Sequence, residues 1–129
     1  YNLSQNWSLL RATDTDGLPG HELVFRDHGF IRIFHDATGG TLSSYLLGDN
    51  FSLLDSVDTD GRPGNELIFD VRGTIKIVRD ANRPTRSYTL APPFTYLGAF
   101  QLDGQPGFEL RFSRAGRTFV LNDRLQTLR

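Results

Sequence analysis

The chain has 129 residues with 14 Lys and Arg against 15 Asp and Glu. It is one domain in length and nearly neutral, without the basic block that binds nucleic acid or an anionic membrane. Its apolar runs are a few residues long against the roughly 20 needed to span a bilayer as a helix, so no membrane insertion is expected. The absence of cysteine excludes disulfides, thiolate metal sites and cysteine nucleophiles. With no methionine and no signal-peptide pattern, the chain reads as processed, trimmed or a fragment.

The predicted elements begin with an aromatic and a short apolar stretch, Trp7-Ser8-Leu9-Leu10, read as a strand. Asp14-Thr15-Asp16-Gly17-Leu18-Pro19-Gly20 must end it, because Asp, Gly and Pro favour structured turns. Glu22-Leu23-Val24-Phe25 is the second strand. The glycine at 29 is expected to supply the positive φ of a tight hairpin, and Ile31-Arg32-Ile33-Phe34 returns with strict alternation. After Asp36 and a variable loop, Ser44-Tyr45-Leu46-Leu47 is the fourth strand.

The same order then recurs. Phe51-Ser52-Leu53-Leu54, the loop from Asp58, Glu66-Leu67-Ile68-Phe69, Gly73, Ile75-Lys76-Ile77-Val78, Asp80 and Ser87-Tyr88-Thr89-Leu90 form a second copy. Phe94-Thr95-Tyr96-Leu97, the loop from Gln101, Glu109-Leu110-Arg111-Phe112, Gly116, Phe119-Val120-Leu121 and Asp123 form a third. Aligned from Asn6 and Asn50, the first two copies agree at roughly eighteen of thirty-two positions, at a spacing of about 43 to 44 residues, which identifies a repeat architecture. The repeats run about 6–49, about 50–92 and about 93–129. The third stops where a Ser-Tyr pair is due, and Tyr1-Asn2-Leu3 aligns with Tyr45-Leu46-Leu47, so residues 1–5 are expected to complete it, by ring closure or by donation to a neighbouring subunit.

The expected fold is all-β: one domain of three tandem four-stranded antiparallel repeats, blade-like, with a closed pseudo-three-fold β-trefoil or β-prism as the alternative. Leu23 and Phe25 alternate with Val24, and Leu67 and Phe69 with Ile68, so both faces of these sheets read as buried between neighbours. Arg111 takes the second-face position in the third copy, which predicts a less covered sheet.

The loop-to-strand segments Asp14-Thr15-Asp16-Gly17 to Glu22-Leu23-Val24 and Asp58-Thr59-Asp60-Gly61 to Glu66-Leu67-Ile68 resemble the bacterial VCBS and FG-GAP repeat families, which carry D-x-D-G-D-G-x-x-D/E-L. The resemblance covers the loop and following hairpin of each copy. It implies a β-propeller blade, a secreted or cell-surface bacterial setting, and calcium in the acidic loops, with Asp14, Asp16 and Glu22, and Asp58, Asp60 and Glu66, as ligands. The fifth motif place departs as Leu18, Arg62 or Gln105, the sixth is proline, and Gln101 replaces the first acid of the third copy. Calcium takes six to eight oxygens and each loop offers at most three carboxylates, so no cofactor is required and the Asp side chains read first as turn caps.

His21, His28 and His35 do not repeat, their counterparts being Asn65 and Phe108, Arg72 and Ala115, Arg79 and Asn122, and no histidine metal centre is expected. No nucleophile elbow, HExxH helix, phosphate loop or dinucleotide fingerprint is present, and acids stamped into every repeat are unlike one asymmetric catalytic constellation, so the chain reads as non-enzymatic. Asn6-Trp7-Ser8 and Asn50-Phe51-Ser52 match the glycosylation sequon, with turn chemistry as the plainer reading.

Tyr1, Tyr45 and Tyr88 share one repeat position and Trp7 shares another with Phe51 and Phe94. The expected function is lectin-like binding of carbohydrate or a surface polymer through equivalent inter-repeat sites at Tyr1, Tyr45, Tyr88 and Trp7, with avidity from multivalency and a homo-oligomeric state. The alternatives are a structural protein assembling as a ring or filament by strand donation, and a weak calcium-binding adhesion module.

Overall fold

The computed structural model describes residues 7–18, 20–35, 41–48, 50–79 and 84–129. Twelve strands and no helix occur among them. Sheet 1 holds β1 (Trp7–Thr13), β2 (Glu22–Asp27), β3 (Phe30–His35) and β4 (Thr41–Leu46). Sheet 2 holds β5 (Phe51–Val57), β6 (Glu66–Val71), β7 (Thr74–Val78) and β8 (Arg86–Thr89). Sheet 3 holds β9 (Thr95–Phe100), β10 (Glu109–Arg114), β11 (Arg117–Asn122) and β12 (Thr127–Leu128). Each is an antiparallel meander in which every strand pairs with its sequence neighbour. The expected all-β fold of three four-stranded repeats is thus the observed one.

The two later hairpins turn through Arg72-Gly73 and Ala115-Gly116, where both residues have positive φ (53° and 86°; 52° and 78°), as a two-residue turn matching strand twist requires. In the first hairpin the positive φ belongs to His28, at 54°, rather than to the glycine beside it. The first strand of every sheet carries a register shift, at Leu9/Arg11, at Leu53/Asp55 and between Tyr96 and Gly98. A bulge there breaks the period of two. Leu53 joins the core shared with sheet 1 and Leu54 the core shared with sheet 3, and because Asp55 then pairs with Ile68, the alternation is reset and Val57 also reaches the second core.

The sheets stack in chain order. Val24, Ile31 and Ile33 of sheet 1 meet Phe51, Leu67, Phe69 and Val78 of sheet 2 in one core. Ile68, Ile75 and Ile77, on the opposite face of sheet 2, meet Leu110, Phe112 and Leu121 of sheet 3 in a second. A closed trefoil or prism would bury one face of each sheet in a shared centre. Here sheet 2 is buried on both faces, and none of the three sheets closes on itself, so the arrangement is a layered stack.

The two outer faces differ. On sheet 3 the positions equivalent to Ile68, Ile75 and Ile77 are Arg111, Thr118 and Val120, and the guanidinium of Arg111 lies over the Phe100 ring at 4.8 Å. Arg111 and Val120 are half-buried and Thr118 is exposed, as the sequence anticipated for this sheet. On sheet 1 the outer face carries Trp7, Leu9, Leu23, Phe25, Phe30, Arg32, Phe34, Leu42 and Leu46, which cross-strand pairing places together. The expectation that both faces of the first sheet are covered is not met there: Leu9, Leu23, Leu42 and Leu46 are 57%, 42%, 46% and 67% exposed.

The fourth-strand position of sheet 3 is taken by β12, whose Leu128 and Thr127 pair with Leu121 and Asn122. Two further backbone bonds between Val120 and Arg129 extend the pairing. Residues 1–5, expected to complete this sheet, lie outside the described residues, as does Tyr1.

Candidate functional site

The three Asp-Gly-Pro loops line one rim of the stack, and their acids build the loops from within. Asp14 and Asp58 each accept a hydrogen bond through Oδ1 from the backbone N–H of the glycine three residues on, at 2.8 Å. Asp16, Asp60 and Asp103 each accept through Oδ1 from the N–H two residues on, at 2.9 Å, an Asx turn repeated three times. Gln101, standing where an acid would be, instead donates Nε2 to the carbonyls of Gln105 and Gly107.

Behind the turns lies a buried glutamate, at 1%, 0% and 4% exposure for Glu22, Glu66 and Glu109. Its Oε1 accepts the loop's own N–H: Thr15 at 2.7 Å for Glu22, Thr59 at 2.9 Å for Glu66, Asp103 at 3.2 Å for Glu109. Burial raises the pKa of all three from the ordinary glutamate value, against the pull of these bonds. For Glu66, with Asp60 and Asp58 adding repulsion, it reaches about 7.

A donor from the end of the third strand completes each loop. His35 Nδ1 approaches Asp16 Oδ2 at 3.5 Å, Arg79 Nη2 approaches Asp60 Oδ2 at 3.5 Å, and Asn122 Nδ2 donates to Asp103 Oδ2 at 3.2 Å. Sequence reasoning set these residues aside because their identities differ. The available signal was their shared place, one residue before Asp36, Asp80 and Asp123, and their shared ability to donate.

Successive loops also nest. Asn65 N–H donates to Asp14 O and Phe108 N–H to Asp58 O, each at 2.7 Å. A Cβ at Gly64 would lie 2.5 Å from Thr15 O, and one at Gly17 would lie 2.4 Å from Pro63 Cβ. The repeated Asp-Gly and Pro-Gly pairs are therefore the surfaces by which one loop lies on the next.

The sequence-derived calcium set resolves unevenly. Asp58, Asp60 and Glu66 bring carboxylate oxygens within 4.8 Å of one another; in the first loop the convergent groups are Asp16, Glu22 and His35, with Asp14 turned to its own backbone. Three carboxylates fall short of a calcium shell, one oxygen of each already accepts N–H bonds, and the Arg79 cation sits beside Asp60. The donor set does not fit a calcium cage. Addition or chelation of calcium is accordingly expected to leave the melting temperature unchanged, as read by circular dichroism.

The raised Glu66 pKa carries a sign. Its folded value, about 7, exceeds the ordinary glutamate value of 4.5, so its contribution to stability is full below about pH 4.5 and is lost as pH rises through 7. Glu66→Gln keeps the acceptor for Thr59 and removes the titration. The slope of urea stability against pH between about 4.5 and 7 is expected to flatten by on the order of 2–3 kcal/mol across that window; an unchanged slope would place the titration elsewhere.

Between sheets 2 and 3 the fully buried Asp123 gathers four groups. Thr59 Oγ1 donates to it at 2.8 Å, Tyr88 Oη at 2.7 Å and Arg86 Nη1 at 3.3 Å, with the Arg79 guanidinium on the same carboxylate. Arg86 also donates to the Asp123 carbonyl at 2.6 Å. A cavity of about 90 Å³ beside it is lined by Asp60, Arg62, Arg79, Arg86 and Arg124. Arg79 and Arg86 are paired across the seam with Asp123, and Arg124 within the third repeat with Asp103, so most of this charge is already paired.

The predicted ligand-binding aromatics fall into two groups. Tyr45 and Tyr88 are half-buried at the seams between sheets: Tyr45 Oη donates to Arg79 O across the first seam at 3.3 Å and Tyr88 to Asp123 across the second. Burial, reinforced by the Asp123 carboxylate, pushes the Tyr88 phenol well above its ordinary value. Trp7 stands on the outer face of sheet 1, half-buried, its ring 6.1 Å from Phe25 and 5.9 Å from Phe34. Arg32 lies over it at 5.6 Å and is paired with Asp27. No family model, no curated protein and no solved structure matches the chain. Among the described residues no helix is long and apolar enough to cross a membrane.

Proposed function

We propose that this chain is a non-enzymatic assembly module: a rigid stack of blade-like sheets that is joined to a partner through the outer face of sheet 1. The observation that carries the reading is positional. Phe51, Leu67, Phe69 and Val78 occupy the same repeat positions on sheet 2 as Trp7, Leu23, Phe25 and Phe34 on sheet 1; on sheet 2 they are 7%, 1%, 0% and 1% exposed because sheet 1 covers them. On sheet 1 Phe34, in contact with the Trp7 and Phe25 rings, is likewise buried. Trp7 and Phe25, however, stay half-exposed and Leu23 exposed with no other described sheet over them, and a contiguous exposed apolar surface marks an interaction site. Since β12 fills the edge of sheet 3, the joint runs through a sheet face and needs no strand exchange.

The test is the double variant Leu23→Asp with Leu46→Asp, unfolded in urea at submicromolar concentration. Both side chains are more than two-fifths exposed, so stability is expected to change by less than about 1 kcal/mol. A loss of several kcal/mol would show that the face belongs to the chain's own core and would sink the reading.

The half-exposed Trp7 ring supports a second reading, lectin-like binding of a carbohydrate or surface polymer on the same face, in the secreted bacterial setting that the VCBS and FG-GAP resemblance suggests. Trp7 is the one tryptophan of the chain, so its emission should shift and saturate on titration with the right glycan. A flat response across a glycan panel counts against it.

A further inference from the structure

We infer that the partner on this face is a second copy of the chain, docked sheet 1 against sheet 1 about a two-fold axis to give one six-sheet stack. The inference rests on the assembly reading above and names its occupant. Two features of the face select this arrangement over serial stacking. The first is the fourth strand. On sheet 2 the residues equivalent to Leu42 and Leu46 are Thr85 and Thr89, exposed and polar, because the preceding sheet does not reach them. Sheet 1 carries leucine at both places, so its face is apolar across all four strands, wider than the interfaces inside the chain. A sheet stacked in the register of the internal interfaces would leave Leu42 and Leu46 in water.

The second feature is polarity. The only other outer sheet face among the described residues, on sheet 3, carries Leu97, Phe100 and Val120 but sets Arg111, Ser113 and Thr118 among them, with the Arg111 guanidinium over the Phe100 ring. Head-to-tail stacking would press these against Trp7 and Phe25 and desolvate Arg111. A two-fold axis instead sets the apolar face on itself, an isologous interface that closes at two chains. Charge permits it: the central cation, Arg32, is 3.1 Å from Asp27 Oδ2 and donates Nη1 to Ser44 Oγ at 2.6 Å, so two copies do not oppose unpaired guanidinium groups. Trp7 and Phe25, half-exposed and both in ring contact with the buried Phe34, make a compact aromatic anchor on the face.

Strand spacing and rise put the face at about 20 by 20 Å, roughly 800 Å² in projection for two partners, below the roughly 1,200 Å² of stable specific interfaces and in the range of weak, transient ones. Association is therefore expected at roughly micromolar concentration. Sedimentation equilibrium between about 1 and 500 μM should show the mass rising from one chain of 14.5 kDa to two and then levelling. The Trp7 emission should move to the blue along the same curve. Leu23→Asp and Leu46→Asp should each raise the midpoint at least about tenfold, while Thr118→Asp on sheet 3 leaves it in place. A mass of one chain throughout, growth beyond two chains that Thr118→Asp suppresses, or a dimer with unmoved Trp7 emission each overturns the inference. One chain throughout, with a double variant as stable as the parent, removes the second copy and leaves the assembly reading standing; a destabilised double variant removes both.

Discussion

Asp123→Ala is expected to cost about 3–5 kcal/mol of folding stability, the largest loss from any single polar side chain here. The carboxylate is fully buried at the end of β11 and is the shared acceptor for Thr59, Arg79, Arg86 and Tyr88, all from the neighbouring sheet and its loop. Deleting it leaves Arg79, 4% exposed, facing Asp60 alone at 3.5 Å, and leaves the half-buried Tyr88 hydroxyl short of an acceptor, while Thr59 Oγ1 keeps Glu66 Oε1 at 3.0 Å. Asp123→Asn keeps an acceptor and loses the charge, so it should fall between parent and alanine. Asp103→Ala is the control: its Arg124 partner is 3.1 Å away but both side chains are about one-third exposed, and an exposed pair contributes about 1 kcal/mol or less. Urea unfolding at pH 7 decides it; equal losses at 103 and 123 would mean that the buried hub is not what joins sheets 2 and 3.

Gly64→Ala is expected to cost at least about 3 kcal/mol and Gly104→Ala about 1–2 kcal/mol, though both glycines lie in the same repeated loop. Gly104 has φ of 72° and nothing within 4 Å of an added Cβ, so only the left-handed backbone opposes the methyl. Gly64 has φ of 95°, and its Cβ would meet the Thr15 carbonyl oxygen at 2.5 Å and carbon at 2.8 Å. These are backbone atoms, pinned because Thr15 N–H is held by Glu22 and Asp14 O by Asn65 N–H. The nested loops would have to part, loosening sheet 2 from sheet 1 along the rim. Chemical denaturation of the two variants separates the effects; equal losses would show that backbone conformation alone accounts for both positions.

Much of the architecture was legible in the chain. The doublet Asp-Gly with Pro-Gly, the alternation of Ile31 with Ile33 and of Ile75 with Ile77, and Arg111 in place of Ile68 all read locally, because strand period and turn chemistry depend on residues a few places apart. The bulges at Leu10 and Leu54 were not legible: two adjacent leucines look the same whether a strand is regular or broken, and only the pairing with the second strand shows that Arg11 and Asp55 resume it out of alternation. The candidate site was half visible. The loop acids could be named, but what they hold depends on His35, Arg79 and Asn122 arriving from another strand, and these have no common chemical type.

The sequence by itself determined the repeat, the strand count and the turn positions, since each follows from composition and short-range spacing. Only the tertiary structure decided that Tyr45 and Tyr88 serve the seams, that Asp123 joins two sheets, and that Trp7, Leu23, Leu42 and Leu46 share one face that no other sheet among the described residues covers. The reason is physical. A repeat writes the same residues into every copy, and whether those residues form a core or a surface depends on whether a neighbouring sheet covers them, which is settled by packing between elements some forty residues apart.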